Sequence, residues 1–246
     1  YNQTSYLLER KLRRASGNFN LNPFQQNSEE LGANINFRNS LFYNRGKQKH
    51  STTYTYLDAT NKNFLITGVQ ESKIRSHQIN YLHRMATVWL LSLEQQLSKN
   101  ENSYQNFPTR NFKINSARFF PKLTYLVDQN KRFELFYELD IQENTINNLE
   151  TLQKQRLGLS LQWAKGQVYS FSTEFNYIYN AFKGDAFSPV GYQMLSGLQP
   201  KTNYTWKLLA QKKITNYLDL NLNYQGRKSP NNSAIHTGNV QLRAYF

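Results

Sequence analysis

Apolar and polar residues alternate with a period of two along most of the second half of the chain. In residues 133–141 the odd positions are all apolar, whereas Glu134, Glu138 and Asp140 share the other face. A period of two is that of a β-strand with one apolar and one polar face. The same alternation continues through 156–163, 169–179, 204–211 and 218–225. The pattern predicts antiparallel strands of roughly ten residues each, a length that suits a tilted strand crossing a bilayer.

The connections between these strands alternate in length. Short turns are predicted near 128–131, 164–167 and 214–216, and longer loops near 144–150, 181–202 and 228–236. Bacterial outer-membrane barrels have short periplasmic turns and longer extracellular loops. Counting back from the last loop, we expect the final strand to end at the periplasmic face of an outer membrane.

A weaker rhythm of the same kind continues toward the start of the chain. It predicts strands near 34–44, 49–58, 72–83, 87–98 and 108–126, with 15–32 as a loop rich in Asn and Gln. These make about eleven strands, and single-chain bacterial barrels usually have an even number. A weakly patterned segment from Ser5 to Arg13 is the candidate twelfth strand. We therefore predict an all-β fold, a transmembrane antiparallel β-barrel of about 12 strands, with residues 1–246 forming a single domain.

Hydropathy averaged over the chain hides this pattern. The mean hydropathy is -0.73 and only 39% of residues are hydrophobic, values that fit a polar protein. A membrane barrel also averages as polar, because only alternate residues face lipid. The chain has 17 Tyr and 16 Phe, as expected for aromatic girdles at two membrane interfaces. Residues 86–93 form the longest apolar stretch, far short of the roughly 20 residues that a membrane helix needs.

The last ten residues, Thr237 to Phe246, carry the clearest resemblance. Val240, Leu242 and Phe246 lie at alternate positions of a strand that ends on an aromatic residue. This segment resembles the C-terminal recognition strand of bacterial outer-membrane β-barrels, although Ala244 is smaller than the bulky residue often found there. The resemblance implies that these three residues form a barrel-assembly signal.

A longer resemblance covers about the last quarter of the chain. Residues 191–206, 220–228 and 235–238 are similar to the C-terminal ends of large outer-membrane proteins of the Bacteroidota. It implies that the 246 residues are the C-terminal barrel region of a longer polypeptide.

The net charge of +14 points to anionic partners. Basic clusters at 10–14, 45–49 and 212–213 lie near predicted strand ends, where they suit lipid phosphates, including those of lipopolysaccharide. A nucleic-acid site would gather basic and aromatic residues on one exposed face. We therefore expect lipid, lipopolysaccharide, barrel-assembly machinery and protein partners in a membrane complex, and no nucleic acid.

Charged residues on the polar faces of the strands are the candidate lumen residues. They are Glu134, Glu138, Asp140, Arg156, Glu174, Lys207, Asp219, Arg227 and Arg243. A narrow lumen must be filled, and cross-strand pairs of mixed charge fill it while satisfying one another. The same residues could instead select a permeating solute, or paired carboxylates could perform acid/base chemistry.

The sequence offers few residues of the types that bind metals or act in catalysis. Cysteine is absent and there are four histidines. His77 and His83 lie six residues apart on one predicted strand face, about 20 Å in an extended chain, too far to share a metal. His236 follows Ser233 without a nearby orienting carboxylate. We expect no catalytic residue, no metal and no cofactor, and hence a protein that is not an enzyme.

Two functions remain open at this point. The first is an anchor or component of a larger surface-assembly or secretion complex, with a lumen filled by its own side chains. The alternative is a solute transport channel or receptor barrel of the outer membrane. An enzyme, on the model of outer-membrane proteases and lipid-modifying barrels, comes third because it lacks a recognisable site. The narrowness of a twelve-stranded barrel favours the first.

Overall fold

A computed structural model describes residues 2–12, 28–46, 49–65, 68–146, 149–166 and 168–244. Twelve strands form one antiparallel sheet in chain order, in which consecutive strands pair with each other from β1 to β12. The strands are β1 (Asn2–Leu12), β2 (Ser28–Tyr43), β3 (His50–Leu65), β4 (Gly68–Arg84), β5 (Trp89–Tyr104), β6 (Phe112–Leu126), β7 (Lys131–Asn144), β8 (Thr151–Lys165), β9 (Tyr169–Lys183), β10 (Lys201–Thr215), β11 (Leu218–Lys228) and β12 (Ile235–Ala244). The predicted all-β fold of about twelve antiparallel strands is confirmed.

The strand boundaries correct several details. β3 to β5 contain 16 or 17 residues, longer than the predicted ranges 49–58, 72–83 and 87–98. β2 begins at Ser28, so 28–32 belong to a strand, whereas 13–27 lie outside the described residues. β6 begins at Phe112, because Pro108–Arg110 form a 3-10 turn where the sequence predicted strand.

One helix, α1 (Pro189–Leu195), lies in the long connection between β9 and β10 and was not predicted. Its start follows from local chemistry, since the Ser188 hydroxyl accepts a hydrogen bond from the Gly191 amide at 2.9 Å and Pro189 stands at the first helical position. No helix in the described part of the chain is long and apolar enough to cross a membrane.

The two ends of the sheet differ in the connections that they carry. The end with short connections, which we call the turn end, includes 127–130, 166–168 and 216–217. The other, which we call the loop end, includes 105–111, 145–150, 229–234 and the α1 connection 184–200. The predicted alternation of short and long connections is therefore present.

The sheet curves around the α1 connection. Met194 and Leu195 of α1 pack with Phe112 of β6 and Leu152 of β8, while Arg227 of β11 donates a hydrogen bond to the Gly197 carbonyl at 3.2 Å. β6 and β11 are five strand spacings apart, about 24 Å in a flat sheet, so contact with one short segment requires a curved sheet. We call the face toward α1 concave and the opposite face convex.

The two faces differ in polarity as a membrane barrel requires. On β7, the concave residues Glu138 and Asp140 are buried, whereas the convex residues Phe133, Leu135 and Ile141 are exposed. Exposed apolar side chains outside and polar ones inside are the arrangement of a transmembrane β-barrel.

Candidate functional site: the concave face

The centre of the concave face is a cluster of charges around Glu138, whose side chain is 3% exposed. Its carboxylate lies 2.7 Å from Lys154 Nζ and 3.6 Å from Arg118 Nε, and Arg156 Nη2 donates to its second oxygen. The register of β7 with β8 places Glu138 directly opposite Arg156, so the cross-strand pair follows from strand alignment. Three cations thus converge on one buried carboxylate.

Further carboxylates complete this cluster. Asp140 accepts hydrogen bonds from Ser116 Oγ and Gln142 Nε2, both at 2.7 Å, and lies 3.6 Å from Lys154. Arg118 also pairs with Glu94 of β5 at 2.8 Å. The members of what we call the central charge cluster are Glu94, Arg118, Glu138, Asp140, Lys154 and Arg156. Three cations balance three carboxylates, so the cluster carries no net charge, and its geometry gives cross-strand pairing from β5 to β8.

Aromatic rings hold the arginines of the cluster in place. The Arg118 guanidinium lies 4.9 Å from the centre of the Phe120 ring, and that of Arg156 lies 5.1 Å from the Phe136 ring. Gly158 makes room for Phe136, because a Cβ at this position would lie 2.2 Å from the ring. The alternation of β7 showed that Phe136 shares a face with Glu138, but not that the ring would lie over a glycine.

Glu134 lies closer to the turn end, in a smaller group of its own. Lys122 Nζ and Arg132 Nε approach its carboxylate at 3.6 and 3.4 Å. Arg132 also donates to the side-chain carbonyl of Gln162. This group continues the cross-strand pairing of charges toward the turn end.

The α1 connection covers the central charge cluster at the loop end. Met194 and Leu195 are 1% and 2% exposed in an apolar cluster with Phe112, Ile114 and Leu152. Between this cover and the strands lies a cavity of about 520 Å³, lined by every member of the central charge cluster except Glu94 and by polar residues that include Ser98, Asn100 and Gln193. The loop end is therefore bridged from β6 to β11.

The remaining predicted lumen residues lie on the same face but are not brought together. Register places Lys207 opposite Glu174 and Asp219 opposite Arg243. Glu174 accepts a hydrogen bond from Asn176 at 2.8 Å. Within the described residues, no ion pair within 4 Å joins Lys207 to Glu174 or Asp219 to Arg243, and Arg227 contacts the α1 connection instead.

Of the assembly-signal residues, Val240 and Leu242 lie on the convex face of β12, 66% and 60% exposed. Phe246 lies outside the described residues. An exposed apolar pair at alternate positions is the surface that such a signal would present.

Arg118, Lys154 and Glu94 were not among the predicted lumen residues. Lys154 lies two positions before Arg156, and Arg118 lies on the polar face of β6 with Lys122, so the alternation contained the signal for both. Glu94 lies on the polar face of β5, opposite Phe120 of β6, and was not predicted as part of a site either. The α1 connection was anticipated only as a long loop.

No protein-family model and no curated protein sequence matches the chain. Among solved structures, LpxR from Salmonella typhimurium is 8% identical over 87% of this chain and 88% of its own, with a TM-score of 0.37. The β domain of the Bordetella autotransporter BrkA is 9% identical over 99% of this chain and 97% of its own, with a TM-score of 0.42. The translocator domain of the autotransporter NalP from Neisseria meningitidis is 12% identical over 88% and 83%, with a TM-score of 0.37.

These structures correct one prediction. LpxR is an enzyme, a lipid A deacylase. This finding contradicts the expectation that the chain is not an enzyme, which rested on the lack of a recognisable site. The resemblance to Bacteroidota proteins is not among these matches and stays a prediction.

Proposed function

We propose that the chain is an outer-membrane β-barrel that serves as an anchor or component of a larger surface-assembly or secretion complex, with a lumen closed to solutes. The observation that carries this proposal is the seating of α1, which bridges the concave face from β6 to β11 above the central charge cluster. We propose further that residues 1–246 form a single domain of a longer chain and that the C-terminus of this domain lies in the periplasm.

Conductance in a planar bilayer tests the closed lumen. We expect the unmodified chain to be electrically silent after heat-modifiable migration on a gel has shown a folded barrel. A Met194→Asp, Leu195→Asp double variant places two carboxylates in an apolar cluster, which costs several kcal/mol, so α1 should leave its site and steady current should appear.

Tyr192→Asp is the matched control, because Tyr192 lies on the same helix but is 66% exposed. Its current should stay as low as that of the unmodified chain. If the unmodified chain itself conducts steadily, the lumen is open and the anchor proposal is lost.

A transport channel is the second candidate, and one observation favours it. The concave residues Lys207 and Arg243 on β10 and β12 are exposed and have no ion-pair partner among the described residues. If the unmodified chain conducts, Lys207→Gln and Arg243→Gln should then change its ion preference.

Contacts with the membrane form a further part of the proposal. Lys212 and Lys213 lie near the β10–β11 turn, and Arg45 lies in the β2–β3 connection, all at the turn end. We propose that these cations contact lipid phosphates on that side, that lipopolysaccharide meets the loop end, and that assembly machinery recognises β12. Replacing Lys212 and Lys213 with Gln should weaken binding of the folded chain to anionic vesicles, with neutral vesicles as control.

A further inference from the structure

The convex face is not equally apolar around the sheet. On β5 to β9 its middle positions are almost all aliphatic or aromatic: Leu91, Leu93, Phe119, Leu123, Leu135, Leu139, Leu157, Leu159, Phe175 and Tyr177. Side chains of this kind suit contact with lipid acyl chains. The β3–β4 hairpin carries a different surface on the same face.

Hydrogen bonds and charges line the convex side of β3 and β4. Tyr54 Oη lies 2.8 Å from His77 Nδ1, the Tyr56 hydroxyl donates to Asp58 Oδ2 at 3.3 Å, and Arg75 Nε donates to the same oxygen at 3.0 Å. We call these five residues, Tyr54, Tyr56, Asp58, Arg75 and His77, the β3–β4 polar patch. On the neighbouring strands, Phe37 of β2 stands opposite Asp58 and Leu97 of β5 opposite His77, whereas Lys99 of β5 stands opposite Arg75.

The patch reaches into the height range of the apolar belt. Asp58 lies eight residues from the turn end of β3, which in a tilted strand is about 20 Å, within an apolar band about 25 Å tall. The residue at the same distance from the turn end of β8 is Leu157. Charged side chains on the lipid face of a barrel are unfavourable in a depth-dependent way, so a polar partner suits this surface better than acyl chains.

The charges of the patch are self-complementary. Asp58 on β3 stands directly opposite Arg75 on β4, and toward the loop end Lys62 on β3 stands opposite Glu71 on β4, 3.9 Å apart. A twofold axis along the membrane normal, placed over this hairpin, brings β3 of one copy against β4 of the other. Each Asp58 then meets an Arg75, and each Lys62 meets a Glu71, so four pairs of unlike charge face each other across the axis.

Arg75 has the capacity for a second contact of this kind. Its side chain is 58% exposed and Asp58 is 30% exposed. A guanidinium has five N–H donors, and the pair with Asp58 uses only Nε in the described contacts. The other N–H groups of Arg75 can therefore donate hydrogen bonds to a carboxylate of another molecule.

We propose that the β3–β4 polar patch is the contact surface for a second copy of this chain, giving a twofold dimer within the membrane. This inference goes beyond the proposed function, because it holds whether or not the lumen conducts. A conductance result therefore does not bear on it.

A charge-swap mixture tests the dimer. A chain with Asp58→Arg has two arginines at the contact, and a chain with Arg75→Asp has two aspartates, so each variant alone faces like charges across the axis. Like-charge contacts are strongly unfavourable, and the dimer fraction of each variant in lipid vesicles should fall by about tenfold. Equal mixing of the two variants should restore dimers, because each arginine then meets an aspartate.

The mixture separates contacts between copies from contacts within one copy. Each variant keeps its repulsive pair inside its own hairpin after mixing, so only an interface between copies explains restoration. Single variants that dimerise as well as the unmodified chain, or a mixture that stays monomeric while both variants remain folded, would overturn the proposal.

Cysteine cross-linking supplies an independent readout, because the chain has no native cysteine. Ile79 lies on β4 beside the patch and is 46% exposed, while Leu159 lies at a similar height on β8 and is 57% exposed. A bifunctional maleimide with a spacer of about 10 Å, the distance between packed sheets, should link Ile79→Cys to the same position of the second copy and should not link Leu159→Cys. Equal cross-linking at both positions, or at neither, would mean that the patch faces lipid.

Discussion

The concave face has two walls, β6 to β8 and β10 to β12, which carry similar charged residues but differ in whether those residues form ion pairs. On β6 to β8 every charged residue of the central charge cluster has a partner, and Glu138 is almost completely buried. On β10 to β12 Lys207, Asp219 and Arg243 occupy equivalent inward positions, yet all residues of β12 are exposed. The difference shows that position on an inward face does not decide a charged residue's role. Lys207 and Asp219 also stand opposite residues of unlike charge. What differs at Glu138 is that three cations converge on one carboxylate beneath the α1 connection.

The largest expected effect separates the two walls directly. Glu138→Gln leaves Arg118, Lys154 and Arg156 without their shared carboxylate, and breaking a buried ion pair typically costs about 3–5 kcal/mol. The free energy of unfolding in urea, measured on the barrel in lipid vesicles, should fall by this order. Asp219→Asn, which removes a half-buried carboxylate without an ion pair among the described residues, should change it by less than about 0.5 kcal/mol. Equal losses from both changes would remove the distinction between the walls.

A smaller effect is expected where the packed wall depends on a glycine. Gly158→Ala puts a methyl group 2.2 Å from the Phe136 ring, whereas the corresponding atom at Gly238 on β12 would meet Tyr224 at 3.8 Å. Overpacking typically costs about 1–3 kcal/mol, so Gly158→Ala should lower the free energy of unfolding and Gly238→Ala should not. Adding Phe136→Leu to Gly158→Ala should recover part of the loss. A Gly158→Ala chain as stable as the unmodified one would show that Phe136 is not tightly packed there.

The sequence predicted the faces of the strands better than their contacts. Alternation along 133–141 placed Glu138 and Asp140 on one side because side-chain direction has a period of two. It could not give the register, which the 145–150 connection sets and which puts Arg156 opposite Glu138. The pairing with Lys154 and Arg118 depends on that register, so those contacts were missed.

The sequence also failed to predict other features, each for a different physical reason. The strands β3 to β5 run past the apolar belt with polar residues on both faces, as at Asn100 and Glu101, so alternation ends before the strand does. α1 has seven residues, too few for a helical period to show, although Ser188 and Pro189 are start signals. The convex pair of Asp58 and Arg75 was not predicted, because it places charges on the face that the alternation of a barrel strand assigns to lipid.

Labelling of single cysteines from the loop side tests most directly whether the α1 connection shelters one wall and leaves the other open. Asn100→Cys lies in the cavity beneath α1, and Asn239→Cys lies on the exposed wall. Reaction with a membrane-impermeant maleimide should be at least about tenfold slower at Asn100→Cys, as expected for a site that reacts only on local opening. Rates at Asn100→Cys that match those at Asn239→Cys would contradict the account, since the cover would then not protect the central charge cluster.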